Sequence, residues 1–379
     1  MIKKKPDLLH KICVFCLYGI AATFVTVWYV EMGAKLPWTS FATFFGAGAL
    51  VLLALVATVV VHELGHLIAA QTVGFKFRIL TLGPWSIIAT PRGLRHRFSL
   101  KVMGLVFGQQ LSTPPDLTGD DDKFQVYLAG GGVANILTAA LALLCWYGFE
   151  LRGFSAVFFG AFAGWSLFLG IINLMPFRTN MGVASDGYNM RALRQNRPEA
   201  VRFRALIALM GDAYAGTRPR DWSPQMVATL NENAGSPYET ALGLLLAYQH
   251  ALDRGEAALA NAFIPPLIAV HPQIPAAMQS HFGVEIAYHY GLIEPDAELA
   301  RRFADAVNAA KADAYLLSPS AVHRALAAAA FVEGKFTQGL EECARGLQLI
   351  DEGVTELDRV MELECLQSLQ AKITANMNT

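Results

Sequence analysis

Charged residues are scarce in this sequence. They make up 16% of its 379 residues, whereas hydrophobic residues make up 54%. A soluble domain usually has about a quarter charged residues, so the composition indicates that part of the chain lies in a membrane. Most of the apolar excess comes before about residue 176. We therefore expect a membrane domain over 1–195 and a soluble domain over 196–379.

The net charge is close to zero and cysteines are few, and each of these features argues against one class of protein. A formal net charge of −1 gives no general attraction for nucleic acid. The five cysteines are scattered and odd in number, which argues against a disulfide framework. Cys13 and Cys16 have CxxC spacing without a second pair. Because zinc needs more ligands than these two, we interpret them as lipid-facing or packing residues.

Long apolar runs, by contrast, are frequent. Each is about as long as a bilayer-spanning helix, and together they predict four spans: Ile12–Val30, Phe41 to about Val73, Phe124–Phe149 and Phe154–Pro176. Lysines precede the first run, as they would in a cleaved signal peptide. The apolar core of a signal peptide is normally shorter, so an uncleaved anchor is favoured.

Basic residues are distributed asymmetrically between the segments that join the spans. The connections 31–40 and 150–153 hold one basic residue each, whereas segment 72–123 holds seven. Basic segments stay in the cytoplasm. We therefore expect an integral protein of the cell inner membrane, with its N-terminus and its C-terminal domain in the cytoplasm.

Segment 75–102 has the pattern of β-structure. Apolar and basic residues alternate from Phe75 to Ile79, and Pro91-Arg92-Gly93 separates two further alternating runs. This pattern predicts a β-hairpin. Its edges could not be exposed to lipid, so we expect the hairpin at the cytoplasmic interface or against the helices.

The chain after Asp186 has recurring helical patterns. Gly255, Gly291 and Gly334 are each predicted to lie between two helices, and they are 36 and 43 residues apart. This spacing loosely resembles a tetratricopeptide array. The predicted fold is therefore mostly α: a membrane-embedded helical core with a small β-hairpin insertion, followed by a soluble helical domain that resembles tetratricopeptide repeats.

The second span contains the sequence His62-Glu63-Leu64-Gly65-His66. On a helix, positions i and i+4 share a face, so both imidazoles can bind one metal ion, with Glu63 beside them to act on a water molecule. The alternative is a cluster of solvated polar side chains at a helix end. Ionisable groups inside a spanning segment are costly and usually bind or react, which favours the metal site.

A catalytic zinc site with one open position needs a third protein ligand. The other histidines of the membrane half, His10 and His96, lie in basic stretches that we expect to be exposed. Asp186 follows the fourth span in Ser185-Asp186-Gly187 and is predicted to be on the same side as the end of the His62 helix. We therefore predict that Asp186 completes the site, although an aspartate before glycine can also be a simple turn residue.

With these residues, the chain resembles the site-2 protease family of intramembrane zinc metalloproteases over about 41–190. The motif at His62 is joined by Gly131-Gly132-Val133-Ala134-Asn135, similar to the family's glycine-proline-x-x-asparagine. Asn173-Leu174-Met175-Pro176, followed by Asp186-Gly187, is similar to the family's asparagine-x-x-proline and aspartate-glycine. Gly132 replaces the family's usual proline, and the stretch between Pro176 and Asp186 is longer than is common in the family.

The resemblance implies that Asn135 helps to hold the substrate or the oxyanion, and it suggests a substrate role for Asn173 also. Asparagines in spanning helices can instead make structural hydrogen bonds between helices. Both readings stay open at this point.

The sequence thus predicts a zinc protease that cleaves membrane proteins or membrane peptides, with Glu63 activating the water. A protein partner could bind the C-terminal domain, and no nucleic-acid partner is expected. One alternative is a non-catalytic membrane scaffold with a protease-like fold, although metal binding alone does not require Glu63. Another is a transporter with a proton relay, for which a single ionisable cluster is weak support. No segment resembles the PDZ or CBS modules of some relatives.

Overall fold

The computed structural model describes residues 41–98, 108–115, 121–178, 184–232, 236–310, 317–353 and 355–378. Several features of the sequence lie outside these residues. They are the predicted first span (Ile12–Val30), the pair Cys13 and Cys16, the predicted end of the hairpin near Val102, and most of an acidic loop that the sequence has at 116–122. The described chain is mostly helical and contains one small antiparallel sheet, as the sequence predicts.

Three helices in the described part of the chain are long and apolar enough to cross a membrane. They are α1 (Phe41–Thr72), α2 (Asp121–Gly148) and α3 (Gly153–Leu174). Their bounds match the predicted second, third and fourth spans to within a few residues. The predicted total of four depends on the N-terminal run and stays a prediction.

Small residues let these helices approach closely. A Cβ atom on Gly65 of α1 would lie 2.5 Å from the carbonyl oxygen of Gly130 of α2, which leaves no room for a side chain. Thr58 of α1 and Ser166 of α3 are buried, and their hydroxyl oxygens are 3.1 Å apart. Small residues and hydroxyl pairs are typical of helix contacts in membranes, where apolar burial adds little to association.

The sheet has four strands in the order β3–β2–β1–β4. They are β1 (Lys76–Leu82), β2 (Trp85–Thr90), β3 (Gly93–Phe98) and β4 (Gly108–Thr113). The predicted hairpin is β2–β3, with Thr90 opposite Gly93 across the turn. Strand β4, which was not predicted, pairs with β1 from Gly108 to Thr113. The sheet is therefore larger than the predicted hairpin.

Ten helices, α4 to α13, follow in the described residues of the C-terminal half. They are Asp186–Arg194, Pro198–Ala215, Pro224–Asn231, Pro237–Asp253, Ala257–Val270, Ala276–Leu292, Ala297–Ala310, Pro319–Val332, Phe336–Gln348 and Glu356–Met377. Gly255 and Gly334 lie between helices, as predicted. Each glycine has a left-handed backbone conformation, with φ of +77° and +73° respectively. Gly291 instead lies within α9, where an added Cβ atom would be 2.6 Å from the Cβ of Ala328. It is a packing residue and not a turn.

The chain divides into two compact units. The first contains α1, α2, α3 and Ser185–Tyr188, and the second contains the sheet, segment 177–184 and residues 189–379. Within the second unit, Arg95 of β3 donates to the carbonyl oxygens of Asp351 and Gly353. The sheet therefore groups with the C-terminal helices. The predicted domain boundary at 195 and the tetratricopeptide character of those helices stay predictions.

Candidate metal centre

Helix α1 places the two histidines one turn apart. His62 and His66 are each 7% exposed, their ring centroids are 4.7 Å apart, and their Nε2 atoms are 3.2 Å apart. Glu63 is equally buried. Because the i, i+4 spacing puts both rings on one face, the motif gathers two nitrogen donors at one point inside an apolar helix.

Asp186, the first residue of α4, supplies the third donor. Its Oδ2 atom is 3.3 Å from Nε2 of His66 and 3.7 Å from Nε2 of His62. The three residues form a group whose ligand atoms all lie within 4.8 Å of one another. The structure thus brings together the three residues that the sequence analysis selected as metal ligands.

The start of α4 is held against the end of α3 in two ways. The hydroxyl of Ser185 donates to the carbonyl oxygen of Met175 at 2.6 Å and accepts from the backbone N–H of Tyr188 at 3.1 Å. A Cβ atom on Gly187 would lie 2.1 Å from the carbonyl oxygen of Leu174, so only glycine fits there. These contacts fix the backbone on both sides of Asp186.

The donor set fits zinc. Tetrahedral zinc bound at about 2.0–2.2 Å by nitrogen and oxygen has donors about 3.3–3.6 Å apart. The three donor pairs of this site are 3.2, 3.3 and 3.7 Å apart. Two imidazoles and one carboxylate would leave a fourth position open, as in catalytic sites. Glu63 is not among the three grouped donors, which suits a role other than ligation.

Gly131 of α2 makes room for the imidazoles. A Cβ atom at this position would lie 2.4 Å from Nε2 of His66 and 2.7 Å from Cε1 of His62. Even the smallest side chain would therefore occupy the space beside the donor nitrogen. This glycine belongs to one of the sequence motifs, but its place beside the metal ligands was not predicted.

Helix α2 also contacts the far side of each imidazole. Nδ1 of His66 is 2.9 Å from the carbonyl oxygen of Tyr127, and Nδ1 of His62 is 3.3 Å from the side-chain amide of Asn135. Outer contacts of this kind orient histidine ligands in metal sites. A backbone carbonyl carries no sequence signal, so the role of Tyr127 could not be predicted.

Asn173 is bonded within its own helix. Its side chain is partly buried, and its amide donates to the carbonyl oxygen of Leu169 in its own helix at 3.2 Å. Asn135, by contrast, is fully buried beside His62. The substrate-binding roles of both asparagines stay predictions.

With this geometry established, part of the membrane half can be compared with a known family. Residues 50–155 match peptidase family M50. This is the site-2 protease family, so the resemblance given by the motifs is confirmed. The M50 match covers His62, Glu63, His66 and Asn135 and ends before Asp186. It supports a membrane metalloprotease of the site-2 protease kind. No curated protein and no solved structure matches the chain.

Substitution of Gly131 by alanine is expected to abolish stoichiometric metal binding. The added methyl group would overlap the imidazole of His66, and the helix backbone cannot move away without disturbing its neighbours. Metal content of the purified variant by elemental analysis measures the effect. Gly148→Ala, at the other end of the same helix with nothing within 4 Å of the new Cβ, is the control. Equal metal content in both variants would show that the ligands lie elsewhere.

Proposed function

We propose that this protein is an intramembrane zinc metalloprotease that hydrolyses peptide bonds in or near the transmembrane segments of membrane proteins or peptides. The observation that carries the proposal is the group formed by the buried His62 and His66 and the half-buried Asp186. Two of these residues belong to a helix apolar enough to span a membrane, in a segment that matches a peptidase family.

His62, His66 and Asp186 would hold the ion. Zinc in such a site polarises the scissile carbonyl group and lowers the pKa of a water molecule. Glu63 is the general base: its carboxylate takes a proton from the attacking water and delivers that proton to the leaving amine. The carboxylate suits this role because it adjoins His62 without belonging to the donor group.

The substrate must present an extended segment to this site. Helical hydrogen bonds hide the carbonyl groups of a spanning peptide, so the substrate helix has to unwind before the water attacks. Water must also reach the buried site, and we infer a polar path from the cytoplasm. Asn135 and Asn173 are proposed to contact the unwound substrate. An extended peptide could also add to an edge of the sheet, as in other peptide complexes.

The distribution of basic residues supports placement in the cell inner membrane, with the N-terminus and the C-terminal domain in the cytoplasm. We propose that the C-terminal helices bind a protein partner or select the substrate. Helix arrays of this kind commonly present surfaces for protein partners.

The proposal is tested with the purified full-length chain in detergent. We expect one zinc ion per chain and cleavage of a synthetic spanning peptide, with loss of cleavage in a chelator and recovery when zinc is added back. Bound zinc without cleavage of any spanning peptide would favour the non-catalytic scaffold. Absence of zinc, and of any gain in activity when zinc is added, would overturn the proposal.

A further inference from the structure

The two candidate histidine ligands have their Nδ1 atoms held by the same helix, α2, but by different groups. For His66 the partner is the carbonyl oxygen of Tyr127, at 2.9 Å. A carbonyl oxygen can only accept, so Nδ1 of His66 carries the proton and Nε2 keeps its lone pair for a metal. For His62 the ring interacts with the backbone carbonyl of Gly131, and Nδ1 also lies beside the side-chain amide of Asn135, which can either donate or accept.

The orientation of the Asn135 amide therefore bears on which nitrogen of His62 is protonated, together with the carbonyl oxygen of Gly131. Its Nδ2 atom is 3.3 Å from Nδ1 of His62, and its Oδ1 atom is buried without a hydrogen-bond partner. If Nδ2 donates, Nδ1 must accept and the ring proton lies on Nε2, where it blocks ligation. If the amide turns by half a rotation, Oδ1 accepts from Nδ1–H and Nε2 is free. The two ends of the amide are nearly the same size, so both orientations fit.

We propose that Asn135 is a positioning residue for His62, with Oδ1 accepting from Nδ1–H when the metal is bound. This inference rests on the proposed metal site. It gives both imidazoles the same arrangement: a proton on Nδ1 directed at an acceptor of α2, and Nε2 directed at the group shared with Asp186. The NH₂ end of the same amide would then be left for another partner, which is compatible with the predicted contact with the substrate.

The test replaces Asn135 in the full-length chain and measures affinity for Co²⁺, whose visible spectrum reports the ligand geometry. Affinity is obtained by competition with a chelator. Asn135→Leu removes the acceptor at similar size, and loss of an outer contact typically costs about 10–100-fold in affinity. Asn135→Asp keeps an acceptor, so its affinity for Co²⁺ is expected to stay within a few-fold of that of the unchanged protein. Its visible spectrum is expected to be the same as that of the unchanged protein. Thr138→Val, which removes a hydroxyl bonded only within α2, is the control and should have no effect.

The outcomes separate this inference from the proposed function. If the unchanged protein binds neither zinc nor cobalt, the proposed metal site is wrong. If it binds cobalt and Asn135→Leu binds it equally well, the metal site stands and the positioning role is overturned. Equal weakening by leucine and aspartate, with the control unaffected, also overturns the role, because an acceptor at this position would then not be what matters.

Discussion

Glu63→Gln is expected to abolish cleavage while leaving zinc bound. The amide is nearly the same size as the carboxylate but cannot take a proton from water. General acid–base groups typically contribute about 10²–10⁴-fold to a rate, so we expect a loss of at least about a hundredfold. Because the three grouped donors do not include Glu63, metal content should stay at one ion per chain. Cleavage of a synthetic spanning peptide and elemental analysis measure the two effects.

The control for this substitution is Glu150→Gln, which changes an exposed carboxylate between α2 and α3 and should leave both quantities unaltered. Retained cleavage in Glu63→Gln would show that another group is the base. Loss of both cleavage and zinc would show that Glu63 supports the metal site itself, which contradicts its assignment as a general base that is not a ligand.

Asp186→Ala is expected to lower zinc affinity by more than about a hundredfold, since it removes a direct ligand and even outer contacts cost about 10–100-fold. The carboxylate oxygen lies 3.3 Å and 3.7 Å from the two histidine nitrogens, and no other carboxylate of the described residues joins that group. Chelator competition measures the affinity.

Asp305→Ala, which removes an exposed carboxylate on α10, provides the comparison and should bind zinc normally. Full zinc occupancy of the Asp186 variant would identify a different third ligand. Partial occupancy with a fast exchange rate would agree with the prediction, because two imidazoles alone hold the ion weakly.

Several parts of the site could be predicted because they are local in sequence. The i, i+4 spacing of His62 and His66 determines their common face on any helix. Asp186 was predicted from the need for a third ligand and from the predicted sidedness of the spans, because it is far from the histidines in sequence. The structure places it beside both histidines. The apolar runs gave the bounds of α1, α2 and α3 to within a few residues because length and hydropathy are properties of the segment itself.

The features that could not be predicted depend on tertiary contacts. Strand β4 has the sequence Gly-Gln-Gln-Leu-Ser-Thr, with little β-propensity, and forms because β1 supplies its hydrogen bonds. Its last residue, Thr113, also packs against Gly211. Gly291 has the spacing of a turn but packs against Ala328. Likewise, no sequence pattern indicates that Asn135 faces Nδ1 of His62.

The two ends of the segment between α3 and α4 are fastened to each other. Ser185 is bonded to Met175, and Arg178 and Ala184 form an isolated β-bridge. Once the ends of a loop are joined, its length matters little to stability: each doubling costs only about 0.6 kcal/mol of closure entropy. Residues can therefore be added or removed between 178 and 184 while Asp186 keeps its place, so this segment is where an epitope tag or a protease site could be inserted with the metal ligands undisturbed.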